Sequence, residues 1–159
     1  MTTTTSAAER DGVGTGNVLA KIELFRGISQ RELARLESLA RPRSYEPGQI
    51  IVEEGSSGIA LFVIRSGKVR VTQRGAGGAE REIRTIGPGG SFGEMALFNN
   101  RPRSATITAV EPTECLALHQ FDFLDELRKS PEIAVRLLDT ISQRLIDAER
   151  KLRDLEAKG

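Results

Sequence analysis

"ALFVIRSGKVRVTQ", residues 60–73, decides the fold. Its β-branched and apolar residues recur at a period of two on both sides of Arg65-Ser66-Gly67, the pattern of two strands joined by a glycine turn. The same pattern continues outward through "QIIVEE" (49–54), "EREIRTIG" (80–87), "ATITAV" (105–110) and "ECLALH" (114–119). Between these runs lie "EPG", "EGSSG", "RGAGGAE", "GPGG" and "VEPT". Many short strands punctuated by glycine turns predict an antiparallel β-roll, jelly-roll-like and of about eight strands, between Tyr45 and His119.

The flanks are helical, which makes the class α+β. Two short helices are expected from Asn17 to about Arg41. The first carries Val18, Leu19, Ile22 and Phe25; the second opens on Ser29 and Glu32 at capping-box spacing and continues with Leu33, Leu36 and Leu39. Beyond the strands, "FDFLDELRKS" (121–130) predicts one short helix. Ser130, Pro131 and Glu132 then supply an N-cap, a first-turn proline and an acid at the positive end of a longer one. That helix runs to about Glu156 and, at roughly 1.5 Å per residue, is longer than a domain of this size can cover. Ala134, Leu138, Ile141, Leu145, Ala148, Leu152 and Leu155 alternate in steps of four and three along it, the a/d seam of a coiled coil. The first half suits packing on the roll, and the second half is expected to project and pair with a second copy, giving a homodimer through 134–155. The organisation expected is a flexible, glycine-rich tail over 1–16, the roll with its flanking helices over 17–130, and the lid and dimer helix over 131–159.

At 159 residues with 38% apolar content the chain supports one core. Lysine plus arginine (23) nearly balances aspartate plus glutamate (22), so the summed field draws in neither nucleic acid nor an anionic membrane. The single Cys115 allows no internal disulfide and no thiolate metal site, which suggests a reducing cytoplasm. No apolar run reaches the length of a membrane span, and the threonine-rich start lacks the pattern of a signal peptide. "GVGTG" (12–16) lacks the preceding strand and the lysine of a phosphate loop and is assigned to the tail.

The chemistry gathers in "FGEMALFNNRPRSATIT", residues 92–108. If Glu94 to Phe98 form one helical turn, the N–H groups of Gly93, Glu94, Met95 and Ala96 lie at its free N-terminal end, where backbone donors collect an anion. Gly93 removes a Cβ from the approach. Arg103 can lay its planar fork over the same space, and Ser104 adds a hydroxyl and an amide. An ionised Glu94 only accepts, which fits a sugar hydroxyl and not a phosphate. A Glu94–Arg103 ion pair that merely closes the loop is the other reading of the same residues.

These residues resemble the phosphate-binding cassette of the cyclic nucleotide-binding domain family, which includes the catabolite activator protein and the regulatory subunit of cAMP-dependent protein kinase. The likeness extends over about 24–156, with Gly48, Gly55 and Gly67 at the family's turn positions. The resemblance implies that Glu94 accepts from a ribose 2′-hydroxyl and that Arg103 binds the exocyclic phosphate. It also implies that Gly93, Met95, Ala96 and Ser104 offer backbone or hydroxyl donors. Serine after the arginine is compatible with cAMP, whereas relatives that favour cGMP often carry threonine there. The threonine–serine pair that reaches adenine in the catabolite activator protein is replaced by Ala148 and Glu149, which leaves Thr140, Gln143 and Arg144 as polar candidates on the long helix, with Arg144 as the base or lid contact.

The leading expectation is a stand-alone cyclic nucleotide sensor, for cAMP ahead of cGMP, that signals through its C-terminal helices to a separate protein effector. No helix-turn-helix is expected to accompany the long helix, and DNA is not an expected partner. The alternative is a coiled-coil scaffold whose pocket holds another anion or only supports the fold. An enzyme is not expected, because no His/Asp metal cluster and no carboxylate pair accompany Glu94. No metal or haem is expected either, since Cys115 and the lone His119 cannot supply the ligands.

Overall fold

The computed structural model describes residues 17–158, so the expected tail over 1–16, with its "GVGTG", lies outside the described residues. Eight strands form: β1 Arg41–Tyr45, β2 Ile50–Val52, β3 Ala60–Ser66, β4 Val69–Arg74, β5 Glu80–Ile86, β6 Ser91–Phe92, β7 Thr106–Ala109 and β8 Thr113–His119. They make two four-stranded sheets ordered β1-β8-β3-β6 and β2-β7-β4-β5, with antiparallel pairings throughout. The expected roll is therefore present.

Strand β3 shows why the opening stretch is decisive. Successive side chains point to opposite faces of a strand, and in β3 both faces are covered. Leu61 and Val63 face a helical layer, while Phe62 and Ile64 face the space between the sheets. Two cores result. One joins Leu61, Val63 and Leu118 to Leu19, Leu24, Phe25, Leu36, Phe123, Ile133 and Leu137 of the helical layer. The other packs Phe62, Ile64, Val71, Ile86, Phe92, Ile107, Cys115 and Ala117 between the sheets. Burial pushes the Cys115 thiol up to about 11, which keeps it protonated and unreactive.

Three helices and four 3₁₀ turns complete the described fold. Helix α1 (Gln30–Leu39) begins with the expected capping box: Ser29 Oγ accepts from the Glu32 amide, and the Glu32 carboxylate accepts from the Ser29 amide. The segment before it departs from expectation. In place of one helix there are two 3₁₀ turns, Val18–Lys21 and Glu23–Phe25, separated by an extended Ile22. Leu19, Ile22 and Phe25 recur every third residue and are all buried, and a 3₁₀ path keeps such residues in one row. Strand β1 also starts earlier than the sequence pattern predicts. "RPRSY" has no apolar alternation and contains Pro42, but it lies on the sheet edge, where proline is tolerated, and β8 draws it into register.

Helix α2 (Gln120–Lys129) and helix α3 (Pro131–Lys158) meet at an elbow around Ser130. Glu126 is buried there; its carboxylate accepts from Arg35 Nε of α1 at 3.2 Å and from Ser130 Oγ at 3.4 Å. Helix α3 carries two apolar stripes. Ile133 and Leu137 are buried and Ile141 is partly buried against the helical core, whereas Leu138, Leu145, Leu152 and Leu155 are 60–66% exposed. From Ser142 onward every described residue of α3 is exposed, as the expected projection requires. Within the expected seam, Ile141 turns to the chain's own core, and the outward leucines at 138, 145 and 152 are spaced seven apart.

Candidate functional site

The end of β6 delivers the chain into the expected turn. Glu94–Leu97 is a single 3₁₀ turn, and Gly93 precedes it with φ +83° in the left-handed region. A Cβ at Gly93 would meet the Arg103 guanidinium and lie 2.8 Å from the Ala60 carbonyl oxygen, so both conformation and space demand glycine. A Cβ at Gly58 would strike the Arg103 side chain as well, at Nε, Cζ and Cδ. The path of Arg103 thus needs glycine at both positions.

The backbone around Arg103 is pinned. Its amide donates to Ser56 O at 2.7 Å, and its carbonyl accepts from the Gly55 amide at 2.8 Å. Ser57 and Pro102 form an antiparallel bridge beside it. Nη2 donates to the Ala60 carbonyl at 2.9 Å, and the buried Nε has no partner. Burial pulls the guanidinium below its ordinary pKa without bringing it near neutrality. A half-buried arginine with an unpartnered Nε has donors to offer an anion, and charge-assisted bonds of this kind are stronger than neutral ones.

Gly93, Glu94, Arg103 and Ser104 line one side of a cavity of about 270 Å³, with Val52, Val71 and Ile107 as its apolar wall. Met95 and Ala96 line an adjoining surface concavity of about 360 Å³ together with Gly93, Glu94, Arg103 and Ser104. All six expected site residues therefore meet in one place. Not every amide there is free, however. The Ala96 amide donates to Gly93 O at 3.0 Å, because a 3₁₀ turn closes its first bond one residue sooner than an α-helix does. Glu94 and Met95 are left as the leading amides of the turn.

No Glu94–Arg103 ion pair forms among the described residues. Glu94 instead accepts from Arg144 Nη2 of α3 at 3.3 Å, across 50 positions of sequence. Both side chains are substantially exposed, so the pair adds little stability, but it brings the long helix onto the cassette turn. The other two candidates on α3 turn elsewhere: Thr140 Oγ1 donates to Arg26 O at 3.3 Å, and Gln143 Nε2 donates to Asp147 at 3.1 Å. His119 is partly buried, and its Nδ1 has no partner.

Arg84 is a cavity residue that the sequence reading passed over. It pairs with Val71 across the β4–β5 ladder, and directly opposed residues share a sheet face. The signal was present two positions away: Ile86 points inward, so Arg84 does too.

Among the described residues there is no group of three or more His, Cys, Asp or Glu placed to hold a metal ion, and no helix is long and apolar enough to cross a membrane. Residues 42–130 match the cyclic nucleotide-binding domain. The chain belongs to the cyclic nucleotide-binding domain family. Within this family it is 40% identical over 129 residues to a protein of Thermus thermophilus named cyclic AMP receptor protein, an alignment covering 81% of this chain and 60% of that one. It is also 37% identical over 109 residues to a cGMP-dependent protein kinase of Eimeria tenella, covering 69% of this chain and 10% of the kinase. The fold superposes with TM-score 0.80 on the N-terminal domain of a transcriptional regulator from Streptomyces coelicolor A3(2), at 30% identity over 85% of this chain and 94% of that one. The chain spans 60–62% of the length of the curated bacterial relatives it matches, those of Thermus thermophilus and Mycobacterium tuberculosis.

Proposed function

We propose that this chain is a cytoplasmic cyclic nucleotide sensor whose ligand is held by Arg103 and the cassette turn and reported through α2 and α3. The observation that carries the reading is Arg103 itself, a half-buried cation in space that Gly58 and Gly93 leave open, on the wall of a cavity of about 270 Å³. The cyclic phosphate accepts from Arg103 and from the Glu94 and Met95 amides. The ribose 2′-hydroxyl donates to Glu94. Because Arg144 already occupies Glu94, ligand entry alters an ion pair that ties α3 to the cassette, and a partner reads the new position of the helices. Calorimetry and thermal shift with cAMP and with cGMP test this: saturable binding of either is expected, and no heat and no shift with both would sink it.

The base admits a second reading. Ser104 supports cAMP, as does the name of the Thermus relative. Arg84 supports cGMP: guanine presents two acceptors, O6 and N7, to an arginine fork, whereas adenine presents one acceptor and an amino donor. A bidentate contact discriminates by about 1–3 kcal/mol, roughly 5- to 150-fold. Arg84→Ala is therefore expected to weaken cGMP binding by at least fivefold and to leave cAMP within about twofold; equal losses for both nucleotides would return the preference to adenine.

The outward leucines of α3 support a homodimer, and the scaffold alternative rests on the same stripe. Truncation after Arg144 removes Leu145, Leu152 and Leu155. Light scattering is expected to show a dimer becoming a monomer, and an unchanged mass would remove α3 as the interface.

A further inference from the structure

We propose that Gln120 is a positioning residue that fixes the cassette turn for the phosphate and passes its displacement to α2; this rests on the sensor reading above. Gln120 is the first residue of α2, and His119 before it gives that helix no side-chain cap. The Gln120 amide side chain reaches across to the cassette, where Nε2 donates to the Ala96 carbonyl at 2.9 Å. Its backbone amide donates to Ile59 O at 2.7 Å. The next carbonyl along, that of Ala60, is the one that anchors Arg103. One residue thus tethers the cassette turn and the strand end that holds its arginine.

The Ala96 carbonyl sits in the last part of a turn four residues long, where acceptors have no partner within the turn. A turn this short has no internal ladder to keep it in place, so an outside donor sets where its leading amides point. Three residues into α2, Phe123 meets Phe98, the C-cap of the same turn, edge-on at 5.6 Å. A phosphate that draws the turn inward therefore pulls on α2 at Gln120 and at Phe123, and Ser130 carries the motion to α3. The hydrogen bond to Ala96 gives direction to this linkage, which an aromatic contact alone does not.

Three substitutions separate positioning from packing. Gln120→Met keeps length without a donor, Gln120→Glu sets an acceptor against an acceptor, and Gln120→Lys restores a donor. Met and Glu are expected to weaken binding of the preferred nucleotide, cAMP or cGMP, by about three- to tenfold, the loss of one hydrogen bond, with Lys within twofold of wild type. Hydrogen exchange supplies a second readout. In wild type, nucleotide slows exchange at 93–97 and along 120–145; in Gln120→Met the slowing is confined to 93–97. Unchanged affinity together with full protection of α2 in the Met and Glu variants overturns the proposal, as does a Lys variant as weak as Met. Failure of wild type to bind either nucleotide overturns the sensor reading first, which makes the two failures distinguishable.

Discussion

Arg103→Ala is expected to weaken cyclic nucleotide binding by about 10- to 150-fold while the protein stays folded. A hydrogen bond to a charged group contributes about 1.5–3 kcal/mol net, and each 1.4 kcal/mol is a factor of ten in affinity. Arg103 is half-buried and its buried Nε has no partner, so a phosphate meets a guanidinium that has already lost part of its water. Arg103→Lys keeps the charge and loses the fork, and it cannot hold the Ala60 carbonyl and two phosphate oxygens together. It is expected to fall between wild type and alanine. The fold survives because the pinning of 55–57 to 102–103 runs through backbone atoms that the substitution leaves in place. Calorimetry gives the affinities and a thermal melt the stability. An alanine variant that binds as tightly as wild type would place the phosphate elsewhere.

The parts of this molecule that sequence made legible are those governed by local periodicity. The alternation in 60–73, the glycine turns and the Ser29–Glu32 box are each determined within a few residues, and each is present as read. Strand β1 is illegible in the sequence because "RPRSY" has no pattern of its own; the whole of it is fixed by antiparallel pairing with the distant strand β8, Arg41 opposite Ala117 through Tyr45 opposite Thr113. The 3₁₀ path at 18–25 follows from the depth at which Leu19, Ile22 and Phe25 are buried, and a row of apolar residues does not reveal that depth.

In the site, composition identified Glu94 and Arg103 but not their partners. These two charges do not pair: Arg103, in the space that Gly58 and Gly93 leave open, donates to the Ala60 carbonyl, and Glu94 is met by α3 instead. Arg84 and Gln120 carry no motif. Each becomes informative only when a ladder register or a 24-residue crossing puts it beside the cavity or the turn.

Phe123→Ala is expected to be the most destabilising single change at this junction, at about 3–5 kcal/mol. The ring has no exposed surface and joins three segments that have no sequence proximity. Phe25 of the N-terminal turns approaches it at 6.2 Å, and Phe98 at the end of the cassette meets it at 5.6 Å and 88°. Its removal leaves a cavity bounded by a sheet and three helical pieces, whose mutual packing resists collapse into the space. Against a total of about 5–15 kcal/mol the loss is large, and the melting temperature should fall by about 6–20 °C. Phe123→Leu retains most of the volume, and volume-conserving exchanges usually cost under about 1.5 kcal/mol. The leucine variant should therefore fold and bind but lose the edge-to-face contact with Phe98, so nucleotide protects the cassette more than α2 in hydrogen exchange. A melting temperature lowered by less than about 5 °C in the alanine variant would mean that the helical layer relaxes around the gap, and the ring would then not be the element that joins cassette to helix.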